Sequence, residues 1–215
     1  MPNSIDGDLV VLGDLRVTGT ARFSESTTGI ERADMVQESL TPFDLPPETW
    51  RVHDNMDALL PDPPAGSDDL GIVSGTYGTA VPSIQTSDLK SAGATTQYAR
   101  RMVQLPHNYV AGETVTIRLR CKMVTTVSDT TATVDVQCYK SDNEGAVSGS
   151  DLCTTAATTI NSLTGADKDF TITPTALSPG DWLDVRIAIA INDAATVTAV
   201  KGMIGRIQLL CDTKG

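Results

Sequence analysis

A two-residue alternation of apolar and polar side chains is the feature that most constrains this chain. It runs strictly through residues 114–123, returns in residues 133–139 and 181–191, and continues in residues 203–211. Successive side chains of an extended strand point to opposite faces, so this pattern predicts strands that each bury one face. The residues predicted to face the core are Val115, Ile117, Leu119, Cys121, Met123, Val134, Val136, Cys138, Leu183, Val185, Ile187, Ile189, Ile191, Met203, Gly205, Ile207 and Leu209.

The segments between these strands predict how they connect. Residues 70–215 contain polar turns and no long helical pattern, which favours an antiparallel β-sandwich. The turns at Asn108–Glu113 and Leu177–Asp181 each lead into a long strand. In the second, Pro179 followed by Gly180 fits a type II turn, because glycine accepts a positive φ. About eight strands with long connections make a jelly roll the specific prediction.

Residues 7–24 repeat with a period of six residues. Each unit begins with Gly and then Asp or Thr, and places apolar residues at its third and fifth positions, on one side of an extended chain. Stacked short repeats need roughly three or more units before they hold together. We therefore expect other chains to complete the apolar side of this segment, which comprises Leu9, Val11, Leu15, Val17, Ala21 and Phe23.

A short helix is predicted after the repeat. Thr28 and Glu31 fit a capping box, in which the two residues satisfy each other's free backbone donors at a helix start. Apolar residues then recur at helical spacing over residues 29–40, and Pro42 ends the pattern.

Residues 41–69 form a proline-rich arm that nevertheless carries the large apolar side chains of Phe43 and Trp50. Two interpretations fit this arm. Either it inserts these side chains into pockets of a partner, or it caps the core of its own domain. The sequence thus predicts an extended N-terminal segment, residues 1–69, followed by a sandwich domain, residues 70–215.

Composition argues against several classes of function. The formal net charge is -11, and a uniformly acidic surface does not grip phosphate backbones, so no nucleic-acid partner is expected. Aromatic residues make up 4% of the chain, which is few for a site that stacks bases or sugars. No apolar run reaches the length of a membrane span and no signal-peptide pattern is present, so neither a membrane partner nor secretion is expected.

Side chains able to do chemistry do not gather into a recognisable motif. No nucleophile pattern surrounds His53 or His107. The acidic stretch 142–144 and the pair Asp167 and Asp169 do not match the spacing of an EF-hand loop, and loop acids commonly begin turns. We therefore predict no catalytic residue, no metal and no cofactor.

The four cysteines are widely spaced, with no C-x-x-C pair to indicate zinc. Small buried apolar roles suit them, although a disulfide between Cys121 and Cys138 stays open if their strands pair. Basic residues on the predicted strands fit two interpretations. They form either a docking strip for an acidic neighbour or a solvated face that balances nearby acids. These residues are Arg100, Arg101, Arg118, Arg120 and Lys122.

The Gly-Asp-Leu-x-Val repeat resembles the N-terminal segments of tailed-bacteriophage virion proteins, notably fibres and related structural proteins. Residues Leu105–Leu119 are similar to β-sandwich modules in such proteins, and the Leu177–Asp181 turn fits the same picture. The resemblance implies a homotrimer on a virion, with an extended N-terminal part and a compact jelly roll. It implies no catalytic residues.

These observations predict a non-enzymatic capsid decoration, or cement, protein. It is expected to be made in the host cytoplasm, to assemble on the particle and to bridge subunits of the major capsid protein. The predicted contact residues are Leu9, Val11, Leu15, Val17, Phe23, Phe43 and Trp50. The alternative is a tail fibre or receptor-binding protein that recognises a host surface glycan, which predicts exposed aromatic residues or a metal on the loops.

Overall fold

The structure, a computed structural model, describes residues 40–125, 127, 131–193 and 198–214. The six-residue repeat and residues 29–39 of the predicted helix lie outside the described residues. So do five of the predicted contact residues, namely Leu9, Val11, Leu15, Val17 and Phe23.

Strands account for nearly all regular structure in the described residues. The helical element there is a 3-10 turn over Pro47–Thr49, and none of the described helical structure has the length and apolarity to cross a membrane. The strands are β1 (Thr41–Asp44), β2 (Gly71–Val73), β3 (Ser83–Gln85), β4 (Ser91–Gln104), β5 (Val115–Met123), β6 (Thr131–Ser141), β7 (Val147–Ser148), β8 (Thr158–Thr159), β9 (Ala166–Ile172), β10 (Trp182–Asp193) and β11 (Gly202–Cys211).

The strands form two antiparallel sheets that enclose one core. Sheet one has the order β2-β3-β11-β5-β9, with β1 also paired to β11, and sheet two has the order β4-β10-β6-β7, with β8 paired to β6. Setting aside β1, β2 and β8 leaves eight strands. Counted from one to eight in chain order, these strands lie in the order 1-8-3-6 in sheet one and 2-7-4-5 in sheet two. This order defines a jelly roll, so the predicted all-β class and architecture are confirmed.

The core faces predicted from alternation are buried on β5, β6 and β10, where each predicted side chain is at most 2% exposed. On β11 the prediction is wrong at the start of the strand. Ile204 lies in the core, whereas Met203 and Gly205 are only half-buried. A register shift against β5 between Ile204 and Arg206, which is a β-bulge, reverses the faces, and Ile207 then returns to the predicted phase.

Residues 41–69 lie along the sandwich. β1 pairs with β11, in register from Thr41 opposite Cys211 to Asp44 opposite Gln208. The boundary predicted after residue 69 therefore does not separate two packing units among the described residues, because the arm contributes a strand to sheet one.

The arm also contributes to the core. Trp50 is 1% exposed among core residues of its own chain, and its indole N–H donates to the carbonyl of Leu45 at 3.5 Å. Phe43 is partly buried against the same core. Trp50 therefore packs in the core of its own domain, as the second interpretation of the arm predicts. Contact of Phe43 with a partner stays a prediction.

Farther along, the arm runs beside β4 and satisfies its outer edge. Arg51 and Arg100 exchange two backbone hydrogen bonds of 3.0 Å each. The N–H of Tyr98 donates to the carbonyl of Asp68 at 2.8 Å, and the N–H of Leu70 donates to the carbonyl of Tyr98 at 2.7 Å. These bonds hold the arm next to the outer face of sheet two.

The four cysteines are free thiols. Cys121 lies on β5 in sheet one and Cys138 on β6 in sheet two. The strands of this pair are not hydrogen-bonded neighbours, so the condition for the disulfide left open by the sequence is not met.

Candidate functional site

The outer face of sheet two carries an open groove that follows β10. Because side chains alternate along this strand, Asp184, Arg186, Ala188 and Ala190 face away from the core. The alanines have short side chains and their cross-strand neighbours are longer, so the floor of the groove dips at the alanines. Those neighbours on β4 and β6 are Tyr98, Asp135, Thr96 and Thr133.

Three adjacent cavities make up the groove. The first, of about 240 Å³, is bordered by β4, β10 and residues 145–147. The middle cavity, of about 280 Å³, shares Arg100 and Asp184 with the first. The third, of about 250 Å³, shares Arg186 with the middle cavity and contains the floor alanines. From Asp184 to Ala190 the groove follows the strand for about 20 Å.

The walls of the groove come from segments outside the central strands. On the β4 side, His53 of the arm borders the middle cavity. On the β6 side, Ala157 borders the third cavity, next to β8, which pairs with β6. The groove therefore depends on the arm as well as on the sandwich strands.

An ion pair joins β4 and β10 across the groove floor. Arg100 Nε donates to Asp184 Oδ1 at 2.7 Å, and Arg100 Nη2 donates to Asp184 Oδ2 at 2.5 Å. The hydrogen bond to Asp184 raises the pKa of Arg100. This bidentate pair is largely self-contained, because each charge satisfies the other.

Arg186 occupies the centre of the groove with different partners. Its Nε donates to the Gln137 Oε1 at 2.9 Å, and its Nη2 bonds the same oxygen. Its Cζ lies 4.7 Å from the ring centroid of Tyr98, in a cation–π contact. The Tyr98 and His53 ring centroids are 4.9 Å apart, so these side chains form one continuous cluster.

His53 lies between two acids of the arm. Its Nδ1 is 3.0 Å from Asp69 Oδ1, and its Nε2 is 3.7 Å from Asp68 Oδ2. One ligand atom from each of the three residues lies within 4.8 Å of the others, a spacing that a metal ion accepts. The imidazole, however, directs its two nitrogens to different carboxylates, and Ser67 Oγ donates to Asp69 Oδ2 at 3.2 Å, so these contacts account for the cluster without an ion.

Asp135 faces the groove from β6. Burial raises the pKa of its carboxyl group and the nearby charge of Asp151 raises it further, whereas the backbone N–H of Val136 and the charge of Arg186 lower it, for a net increase. The carboxyl group is therefore protonated more readily than that of an ordinary aspartate.

Four of the five basic residues singled out in the sequence, Arg100, Arg101, Arg118 and Arg120, have partners within the chain. Arg118 donates to both carboxylate oxygens of Asp169, with 2.6 Å for each bond, and Arg120 donates to Asp167 at 3.2 Å. Of the two alternatives, these contacts match the solvated face that balances nearby acids. This face belongs to sheet one. Arg101 turns away from its neighbour Arg100 and donates to Thr49 Oγ1.

Of the predicted contact residues that the structure describes, neither Phe43 nor Trp50 lines the groove, and sequence reasoning missed the residues that do. The signal that was present is Ala188 and Ala190, which lie at outward positions of a strand whose other outward side chains are larger and include the charged Asp184 and Arg186. Small outward residues on a long central strand mark a dip in the sheet surface, but only the strand order shows what surrounds it.

No protein-family model and no curated protein matches the sequence. Among solved structures, the xylan-binding module CBM15 superposes with a TM-score of 0.41 and 11% identity, over 80% of this chain and 97% of that chain. TmCBM61 in complex with β-1,4-galactotriose superposes with a TM-score of 0.39 and 11% identity, over 68% of this chain and 84% of that chain. The structure of infectious bursal disease virus Gx strain superposes with a TM-score of 0.33 and 12% identity, over 71% of this chain and 37% of that chain. Scores and identities this low assign neither a family nor a ligand to this chain.

Proposed function

We propose that this chain is a non-catalytic glycan-binding protein whose jelly roll holds an oligosaccharide in the groove on sheet two. The observation that carries the proposal is the lining of that groove. Tyrosine rings, a guanidinium group, an amide and threonine hydroxyls surround an alanine floor. Sugars present hydroxyl groups together with apolar C–H faces, so a site for them combines hydrogen-bonding side chains with apolar and aromatic surface.

The shape of the groove favours a chain of sugars over a single one. Three cavities lie in a row and open to solvent along their length, for about 20 Å of strand. A monosaccharide site is expected to be one enclosed pocket instead. Tyr139 borders the middle cavity and Tyr98 the third, so the groove offers aromatic surface at two positions along its length.

The arrangement of acids favours binding over hydrolysis. Glycosidases use two carboxyl groups that flank the scissile bond, one protonated and one ionised. Both oxygens of Asp184 already accept hydrogen bonds from Arg100, which removes this carboxylate from that role. Asp135 is the acidic residue that lines the third cavity. Its carboxyl group is suited to accept hydrogen bonds from sugar hydroxyls.

We further propose that the N-terminal segment attaches the chain to a virion. The observation that favours this role is the position of β1, which follows residues 1–39 in the chain and pairs within sheet one, the sheet opposite the groove. Attachment through the residues that precede β1 then leaves the groove free. A tail fibre or receptor-binding protein uses the groove directly, whereas a capsid decoration protein that bridges capsid subunits as a homotrimer does not require it, so the groove favours the first setting.

The proposed function is tested by screening the full chain on a glycan array and measuring the glycans that bind by calorimetry. Ala188→Trp places an indole on the groove floor, and we expect it to abolish binding because the ring fills the space of the sugar. Lys122→Trp is the matched control, since it adds the same ring to the outer face of sheet one. Unchanged binding by the Ala188→Trp variant, or no glycan bound by the unaltered chain, contradicts the proposal.

A further inference from the structure

We infer that the groove selects glycans that carry a carboxylate, and that Arg186 is the residue that binds this group. The inference rests on the proposed function, because it names the class of glycan for the same groove. Its ligands are acidic sugars, either uronic acids within a polysaccharide or terminal sialic acids.

Arg186 differs in its partners from other arginines on the sheet faces. Those that contact an aspartate are Arg100, Arg118, Arg120 and Arg206. No ion pair within the described part of the chain includes Arg186, whose bonded partner is the neutral amide oxygen of Gln137. Since a guanidinium has five N–H donors, one amide oxygen leaves both its charge and further donors for a ligand.

The guanidinium of Arg186 is also held in place before any ligand arrives. Gln137 bonds it from β6, and the Tyr98 ring on β4 lies 4.7 Å from its Cζ on the other side of β10. A planar guanidinium matches a carboxylate through two parallel hydrogen bonds, a geometry that a hydroxyl cannot reproduce. A donor that is already oriented loses less side-chain entropy on binding, which strengthens the preference.

The charges around Arg186 decide whether an anion is tolerated there. Asp184 is neutralised by Arg100, and Asp68 and Asp69 contact His53 on the wall. Asp135 is the acid that opposes a ligand carboxylate in the third cavity. Because burial raises the pKa of Asp135, this residue gives up its charge more easily than an ordinary aspartate, and removing that charge is expected to strengthen binding of an acidic sugar.

The test compares two oligosaccharides that differ only in the carboxylate. The first is an oligogalacturonate, and the second is the same oligomer with each carboxyl group reduced to a hydroxymethyl group. The unaltered full chain is expected to bind the acid form about tenfold more tightly or better, as for a hydrogen bond to a charged rather than a neutral group. Sialylated and desialylated lactose form a second arm, which distinguishes a polysaccharide source from a terminal sugar.

Four variants assign the preference to Arg186. Arg186→Gln is expected to bind both members of a pair equally, and Arg186→Lys to retain part of the preference through its charge. Asp135→Asn should tighten binding of the acid form only. Arg118→Gln removes the same charge from the opposite sheet and should behave as the unaltered chain. Thermal unfolding checks that each variant is folded.

The outcomes separate this inference from the proposed function. A preference for the acid form that disappears in Arg186→Gln and survives in Arg118→Gln supports it. Equal or better binding of the reduced oligomer and of desialylated lactose overturns it and leaves glycan binding intact. Failure to bind any glycan on the array overturns both proposals.

Discussion

At the scale of single residues, burial controls the chemistry of the cysteines. Desolvation raises the pKa of the Cys121 thiol to about 12, and those of Cys153 and Cys211 to about 11. It raises the pKa of Cys138 still further above the ordinary range. The thiolate is the nucleophile and the metal ligand, so these residues stay inert at neutral pH and act as small apolar side chains.

These raised pKa values predict that the protein loses stability in alkali. The unfolded chain releases thiol protons from about pH 9.0, whereas the folded chain retains them to about pH 12 at Cys121. Stability that is fully present below pH 9.0 therefore falls as the pH rises through this interval, because the unfolded state binds fewer protons. Urea unfolding measured across the interval checks the slope, and Cys121→Val should reduce it. A free energy of unfolding that does not fall over this range contradicts the prediction.

At the scale of elements, β1 and the turn after it complete the sandwich. β1 contributes only Thr41–Asp44, yet it pairs along β11 and leads directly to the buried Leu45 and Trp50. Gly71, at the start of β2, packs against the end of the same arm, where a Cβ would lie 2.4 Å from the Cα of Pro64. The arm and the sheet are therefore fitted to each other through close backbone contact.

Two truncations test this role of the arm. Removing residues 1–39 leaves every strand of the described structure in place, so we expect little change in the free energy of unfolding. Removing residues 1–69 deletes β1 and Trp50, and the loss of a buried Trp side chain alone costs about 3–5 kcal/mol. Urea unfolding followed by circular dichroism measures both. A chain without residues 1–69 that unfolds as cooperatively as the longer one would show that the arm is dispensable.

At the scale of the whole molecule, β1 pairs within sheet one, whereas the groove lies on the outer face of sheet two. This separation allows one end to be held in an assembly while the other binds a ligand. If residues 7–24 join several copies, as their repeat predicts, several grooves face a surface together. Linked sites bind a dense surface more tightly than one site does, by roughly a factor of 10²–10⁴, without any new contact.

This arrangement predicts that removing residues 1–39 affects avidity and leaves intrinsic affinity unchanged. The full and shortened chains should bind a soluble oligosaccharide with equal Kd in calorimetry. On a glycan-coated surface the full chain should dissociate far more slowly, and its mass in solution should exceed that of one chain. Equal dissociation rates, together with a monomeric full chain, contradict the predicted role of the repeat.

Alternation in the sequence by itself determined the all-β class and the core faces of β5, β6 and β10. This succeeds because the two-residue period of an extended chain holds whichever strands are neighbours. The bulge at Gly205 escaped the same reasoning, since an inserted residue changes the phase of the alternation, and its one local sign was a glycine inside a strand. The sequence also left two interpretations for Trp50, because a large apolar side chain on an arm suits its own core as well as a partner.

Only the tertiary structure decided the location of the candidate site. His53, Tyr98, Gln137 and Arg186 are far apart in the sequence, and the jelly-roll strand order with the arm beside β4 brings them to one face. Each looks ordinary in its own segment, as a residue of a proline-rich arm or as a polar residue on the outward face of a strand. Their chemistry comes from what stands across the sheet, and cross-strand pairing is a long-range property that local patterns do not contain.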